Sequence, residues 1–89
     1  NVYQNYPNPF NPSTKIKFDI PSGLNGSDSK VRLSVYNSLG KEIAELVNEN
    51  LGAGSYETEF DASDFSSGVY FYKIETDNFS QTKSMFLIK

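Results

Sequence analysis

The chain has 89 residues, no cysteine, no histidine and a net charge of −3. That length supports one small core, and the composition excludes disulfide staples, thiolate metal sites and nucleophiles that need an imidazole partner. The mild acidity argues against nucleic acid, and no apolar run approaches the roughly 20 residues of a membrane helix.

The chain opens on Asn1 with neither an initiator Met nor a charged-then-apolar leader, so it reads as the tail of a longer protein. Three prolines then fall within six residues, at Pro7, Pro9 and Pro12. Proline fixes φ, lacks an N–H and pushes its predecessor out of the helical basin, so residues 5–14 should form an extended, ladder-free lead-in. Phe10 stands between Asn8-Pro9 and Asn11-Pro12 as a lone apolar anchor. Such a segment is suited to clamp the incoming chain onto a β-domain, a structural task without chemistry.

Residues 15–20 alternate strictly, which predicts a strand with one buried and one wet face. A polar loop with two glycines spans residues 21–29. Residues 30–36 predict a second strand with Val31, Leu33 and Val35 inward. Asn37-Ser38-Leu39-Gly40 reads as a turn, with Gly40 suited to a positive φ. Residues 41–47 fit two patterns: Ile43, Leu46 and Val47 have helical spacing, whereas Ala44 and Leu46 fit a strand. The short length and the tight turn before it favour a strand, giving a hairpin. Residues 48–54 read as a glycine-containing loop and 56–60 as another alternating strand. Residues 61–68 read as a corner, with room for one helical turn, that carries the chain to a second sheet. Residues 69–76 predict a central strand so aromatic that both faces should be covered. A tight turn at Asp77-Asn78 and a last strand over 79–88 complete the chain.

Six such segments, with a further short strand near Val2-Tyr3-Gln4, predict an all-β, immunoglobulin-like Greek-key β-sandwich of about seven strands. Seven Phe and six Tyr would supply much of its core, each burying roughly 150–250 Å². Gly68-Val69-Tyr70 has the spacing of a tyrosine corner, in which the Tyr70 hydroxyl bonds an upstream backbone group. Charge is unevenly spread: from Glu42 to Asp77 there are nine acids against Lys73 alone, while the chain through Arg32 is net basic. Outward Lys30 and Arg32 opposite Glu57 and Glu59 would place the second and fourth strands side by side.

Candidate chemistry is thin. Glu57 and Glu59 share a face and Asp61 and Asp64 share a corner, but no nucleophile, histidine or phosphate loop accompanies them. Wet strand faces and turn caps account for such acids more simply, and Asp61 with Asp64 lacks the alternating series of a calcium loop. The expectation is therefore no catalytic residue, no metal and no cofactor. Tyr70, Phe71 and Tyr72 would suit a sugar-stacking platform, although aromatics in a small sandwich are more often core. Asn25-Gly26-Ser27 and Asn78-Phe79-Ser80 match the N-glycosylation acceptor pattern, whereas Asn11-Pro12-Ser13 is excluded by its proline.

The last segment is more informative. Ser84, Met85, Phe86, Leu87 and Ile88 are β-prone and uncharged, between Lys83 and Lys89. They read either as a strand buried at a sheet edge with charged gatekeepers, or as a strand that a partner grips by β-augmentation.

These features, taken in order, resemble a known family. They are the lead-in from Asn5 to Thr14, the hairpin around Asn37-Ser38-Leu39-Gly40, the segment Gly54-Ser55-Tyr56, the corner Asp61-Ala62-Ser63 with Ser67-Gly68-Val69-Tyr70, and the ending from Thr82 to Lys89. Together they resemble the type A C-terminal sorting domain of the bacterial type IX secretion system. The chain is also similar to the immunoglobulin-like domain of flagellar hook-capping proteins, which shares the proline lead-in and the hairpin. Many sorting domains begin their last strand with a more basic pair than Lys83-Ser84.

The resemblance implies a single C-terminal sorting domain over residues 1–89, with a lead-in over 1–14 and a sandwich over 15–89. It implies a non-enzymatic tag for an upstream passenger, often an enzyme or adhesin, that crosses the periplasm and outer membrane to the surface or exterior. Its partners would be the outer-membrane export machinery and a sortase-like surface peptidase that removes the tag and joins the passenger to lipopolysaccharide. The signal would lie in Lys83, Ser84, Met85, Phe86, Leu87, Ile88 and Lys89, read through main-chain bonds at an available strand edge. A retained binding or spacer module is the alternative, and an outward row of aromatics would favour it. A monomer is expected, because inward positions account for most large apolar side chains.

Overall fold

Alternation decides the first strand, and the tertiary structure decides which sheet it joins. In the computed structural model, which describes residues 1–21, 28–77 and 79–89, the strands are β1 (Ser13–Ile20), β2 (Ser29–Tyr36), β3 (Glu42–Leu51), β4 (Gly54–Asp61), β5 (Gly68–Glu75) and β6 (Ser80–Leu87). The expected all-β sandwich forms with six strands, in two antiparallel sheets ordered β1-β4 and β3-β2-β5-β6. The segment near Val2 contributes only an isolated bridge to Phe18. The loop at 21–29 and the turn at 77–78 fall largely on residues 22–27 and Asn78, outside the described residues, as do the acceptor patterns beginning at Asn25 and Asn78.

β1, β2, β5 and β6 send alternate side chains inward, so the core is built from Ile16, Phe18 and Ile20 of β1, Val31, Leu33 and Val35 of β2, Tyr70, Tyr72 and Ile74 of β5, and Met85 and Leu87 of β6. The turn after β2 closes with Gly40 at φ 85°, a conformation that costs a side-chain-bearing residue far more than glycine.

The ambiguous segment at 41–47 is a strand, and its double pattern has a cause. The β2–β3 register shifts between Leu33 and Ser34 and again between Val35 and Tyr36, so Val47 faces Leu33 while Ala44 faces Val35. A β-bulge inserts an unpaired residue and breaks the two-residue period. Ile43, Ala44, Leu46 and Val47 therefore all lean on the core, a spacing that a helix would share.

Three expectations need correction. Residues 48–51 extend β3, leaving only Gly52 and Ala53 between β3 and β4. The second and fourth strands are not neighbours. β4 pairs with β1, where Lys15 faces Glu59 and Lys17 faces Glu57, while Arg32 faces Glu75 of β5. Lysines on β1 offered the acids of β4 the same attraction, and alternation alone could not rank the two pairings. Finally, β5 is central but covered on one face only: its outward Phe71, Lys73 and Glu75 are half-buried and Val69 is exposed.

Candidate functional site

The last strand lies at the edge of the larger sheet, where its two faces differ. Met85 and Leu87 are buried, while Phe86 is 45% and Ile88 54% exposed. Ser84 is exposed and Lys83 half-buried on the inward face. Lys89 is tied down: its main-chain N–H donates to the Ser67 hydroxyl at 2.9 Å and its ammonium donates to the Ser63 carbonyl. The two lysines thus differ, one on the strand and one docked on the corner.

That corner is the expected tyrosine corner. The Tyr70 hydroxyl donates to the Ser66 carbonyl at 2.6 Å, and Gly68 before it sits at φ 154°. The Phe65 N–H closes a turn on the Ala62 carbonyl at 3.0 Å. Rings of Phe10, Phe60, Phe65 and Tyr70 follow one another at centroid spacings of 6.0–6.2 Å, joining lead-in, β4, corner and β5. Asp61 accepts from the Ser63 hydroxyl and N–H, and those bonds hold its carboxyl below the usual range.

The lead-in is not ladder-free. Residues 1–6 run antiparallel to β1: the Tyr3 N–H donates to the Lys17 carbonyl, Tyr6 and Lys15 exchange two bonds, and the Asp19 N–H donates to the Asn1 carbonyl. The chain then crosses to β6. The Phe10 N–H donates to the Phe86 carbonyl and the Ile88 N–H to the Phe10 carbonyl, both at 2.9 Å, a parallel bridge to Leu87. The Phe86 N–H donates to Asn8 Oδ1 at 3.0 Å, and Gln4 Nε2 donates to the Ser84 carbonyl at 2.8 Å. Prolines suppress a continuous ladder but leave these separate bonds possible. The edge expected to be available is therefore covered at Ser84, Phe86 and Ile88. The lead-in closes one side of the sandwich by touching both sheets.

Local chemistry explains the cover. Asn5 is buried, its N–H donating to the Tyr72 hydroxyl at 2.9 Å and its side-chain amide to Thr14 Oγ1 at 3.0 Å and the Pro7 carbonyl at 3.1 Å. The Thr14 hydroxyl also donates to the Pro7 carbonyl, and the Tyr72 hydroxyl donates to the Tyr3 carbonyl. The network satisfies polar groups that burial would otherwise penalise. Burial pushes the Tyr72 phenol up to about 12. Pro12 offers its carbonyl to the Ala62 N–H, while Pro9 and Asn11 are exposed. Phe10 is fully inside, as an anchor should be, though Val2 joins it there. Asn5, Asn8 and Thr14 carry no apolar period, and the only mark of their roles in the sequence is that each lies within two residues of a proline.

Other candidates dissolve into structure. Tyr70 and Tyr72 are buried, so a three-ring sugar platform does not exist. Glu57 pairs with Lys15 and Lys17. Among the described residues, no group of three or more His, Cys, Asp or Glu is placed to hold a metal ion. Arg32 is held by Glu42 and Glu45 and approached by Glu75, which keeps its guanidinium firmly charged. Tyr36 faces Phe71 and Val69 faces Phe86 across the outer surface, forming a short outward apolar row.

A family model described as Secretion system C-terminal sorting domain matches residues 4–89, nearly the whole chain. The chain belongs to this family. It is a C-terminal sorting signal for type IX secretion, which makes the protein that carries it a secreted or cell-surface one. No curated protein matches the chain. The matched span contains both the proline cover and the strand it covers, so the sorting domain includes the two as one arrangement.

Proposed function

We propose that the sorting domain is a non-catalytic export and surface-attachment tag whose recognised part is Lys83 to Lys89. The observation that carries this reading is the split of β6: Met85 and Leu87 anchor it, while Phe86 and Ile88 offer large apolar side chains to solvent. Exposed side chains of this size on an edge strand invite association and persist where a partner uses them. In this reading residues 1–89 act as one unit, because the lead-in bonds to both β1 and β6. An upstream passenger crosses the periplasm and outer membrane, and a sortase-like surface peptidase removes the monomeric tag. Glu42, Glu45, Glu57 and Glu75 lie in ion pairs and Asp61 caps a turn, so in this reading those carboxylates serve the fold.

Export of a passenger fused to the domain tests the reading. Deleting Met85 to Lys89 should abolish export, but it also removes core side chains. The paired change Phe86→Ser and Ile88→Ser leaves the core intact and should still reduce export strongly. Undiminished export of that folded variant overturns the assignment. The retained-module alternative draws on the outward row of Tyr36, Phe71, Val69 and Phe86. A mass measurement of the mature secreted protein separates the two: the tag predicts the domain's absence, the module its presence.

A further inference from the structure

The cover on β6 is attached unequally at its two sides. On β1, residues 1–6 are held by five main-chain bonds, from Asn1, Tyr3, Tyr6, Lys15 and Asp19, and by the buried Asn5–Tyr72–Thr14 network. On β6, Phe10 alone bonds main chain to main chain, the Val2 N–H donates to the Gln81 side chain, and the other hydrogen bonds come from the side chains of Gln4 and Asn8. Pro7 and Pro9 cannot donate, so the span between Tyr6 and Phe10 cannot improve its grip on β6. Beyond Phe10 the chain is pinned again, through the Pro12 carbonyl to Ala62. Residues 7–11 are thus a clip fixed at both ends and held on β6 in the middle by the Phe10 ring, its two main-chain bonds and the Asn8 side chain.

We infer that this clip is displaceable, and that the outer edge of β6 is a docking groove for an extended segment of another protein carrying an aromatic side chain. Opening the clip frees the Phe86 and Ile88 N–H groups and the Phe86 carbonyl, together with the slot beside Phe60 that the Phe10 ring fills. An incoming strand without proline would gain main-chain bonds that the clip lacks, and its ring would refill the slot. A segment lacking the ring would leave a cavity and could not compete. The occupant is therefore a proline-free extended segment running parallel to β6 along the path of residues 8–10. The inference rests on β6 being the recognised strand, and it names how a partner reaches a strand that the folded domain covers.

Hydrogen exchange on the 89-residue chain tests it within one strand. The amides of Met85 and Leu87 lie on the β5 side, and those of Phe86 and Ile88 lie under the clip. Local opening should make the Phe86 and Ile88 amides exchange at least about tenfold faster than their neighbours, through a process insensitive to low urea. The exposed change Asn8→Ala should accelerate Phe86 further. A fluorescent proline-free peptide, residues 5–13 with alanine at positions 7, 9 and 12, should bind the Asn8→Ala chain more tightly than the parent, and the same peptide with alanine also in place of Phe10 should not bind. Equal exchange on both sides of β6, or equal binding of both peptides, overturns the inference. Either result leaves the export test of Phe86 and Ile88 free to succeed or fail independently.

Discussion

The larger sheet has two edges, and they are protected in opposite ways. β3 ends the sheet with Glu42, Glu45 and Glu49 exposed and with two register shifts that twist it away from a flat template. Charge and bulging make that edge a poor partner for another strand. β6 ends the sheet with Met85, Phe86 and Leu87 in sequence and no acid, and its outer edge is masked by residues 4–10. One edge is unattractive by composition; the other is attractive but occupied. On the proposed reading β6 is the strand that a partner recognises and cannot carry β3's defences, so the lead-in supplies protection from outside.

Uncovering β6 should give the largest effect. Phe10→Ala leaves a cavity beside Phe60, with an expected loss of about 3–5 kcal/mol in urea unfolding. The same variant should self-associate in light scattering, since its edge is no longer masked. A wild-type midpoint with no association would mean that the cover is ornamental and that the two edges differ less than they look.

A smaller effect is expected from the polar seam that fixes the cover to the body. Asn5→Ala removes the amide bonds to the Thr14 hydroxyl and the Pro7 carbonyl, which keep only their bond to each other, with an expected cost of about 1–3 kcal/mol for the two bonds. The Tyr72 phenol adds a pH signature. Its folded value is raised above that of the unfolded chain, so its neutral form stabilises the fold at lower pH and the contribution is lost as pH climbs from about 10 toward about 12. Thermal melts across that window should decline less steeply in Tyr72→Phe than in the parent. An identical slope would remove Tyr72 from the seam's accounting.

The smallest effect belongs to β3. Glu45→Gln removes one exposed partner of Arg32 while Glu42 remains. Its stability change should be slight and should vanish in high salt, because exposed ion pairs are weakly coupled and screened. A loss that survives high salt would show that the β3 edge is built on more than charge.

Much of this was legible beforehand, and for local reasons. Val31, Leu33 and Val35, the turn at Gly40 and the Tyr70 corner each depend on residues within a few positions of one another. The β3 pattern was legible only as an ambiguity, since bulges make a strand imitate helical spacing. The candidate site was half legible. Lys83 to Lys89 stood out as a bounded apolar strand, but its covered edge did not, because Asn8 and Phe86 are 78 positions apart.

The sequence by itself determined the strands, their inward faces and the presence of a proline-stiffened lead-in anchored by Phe10, because side-chain alternation and proline geometry act within a few residues. Only the tertiary structure decided that β1 takes β4 as its partner, that β5 keeps one face half-open, and that the lead-in lies across β6. Those choices compare distant segments whose hydrogen-bonding groups are chemically alike. What ranks them is the joint burial of Phe10, Tyr72 and Leu87 in one core, which no local stretch of the chain contains.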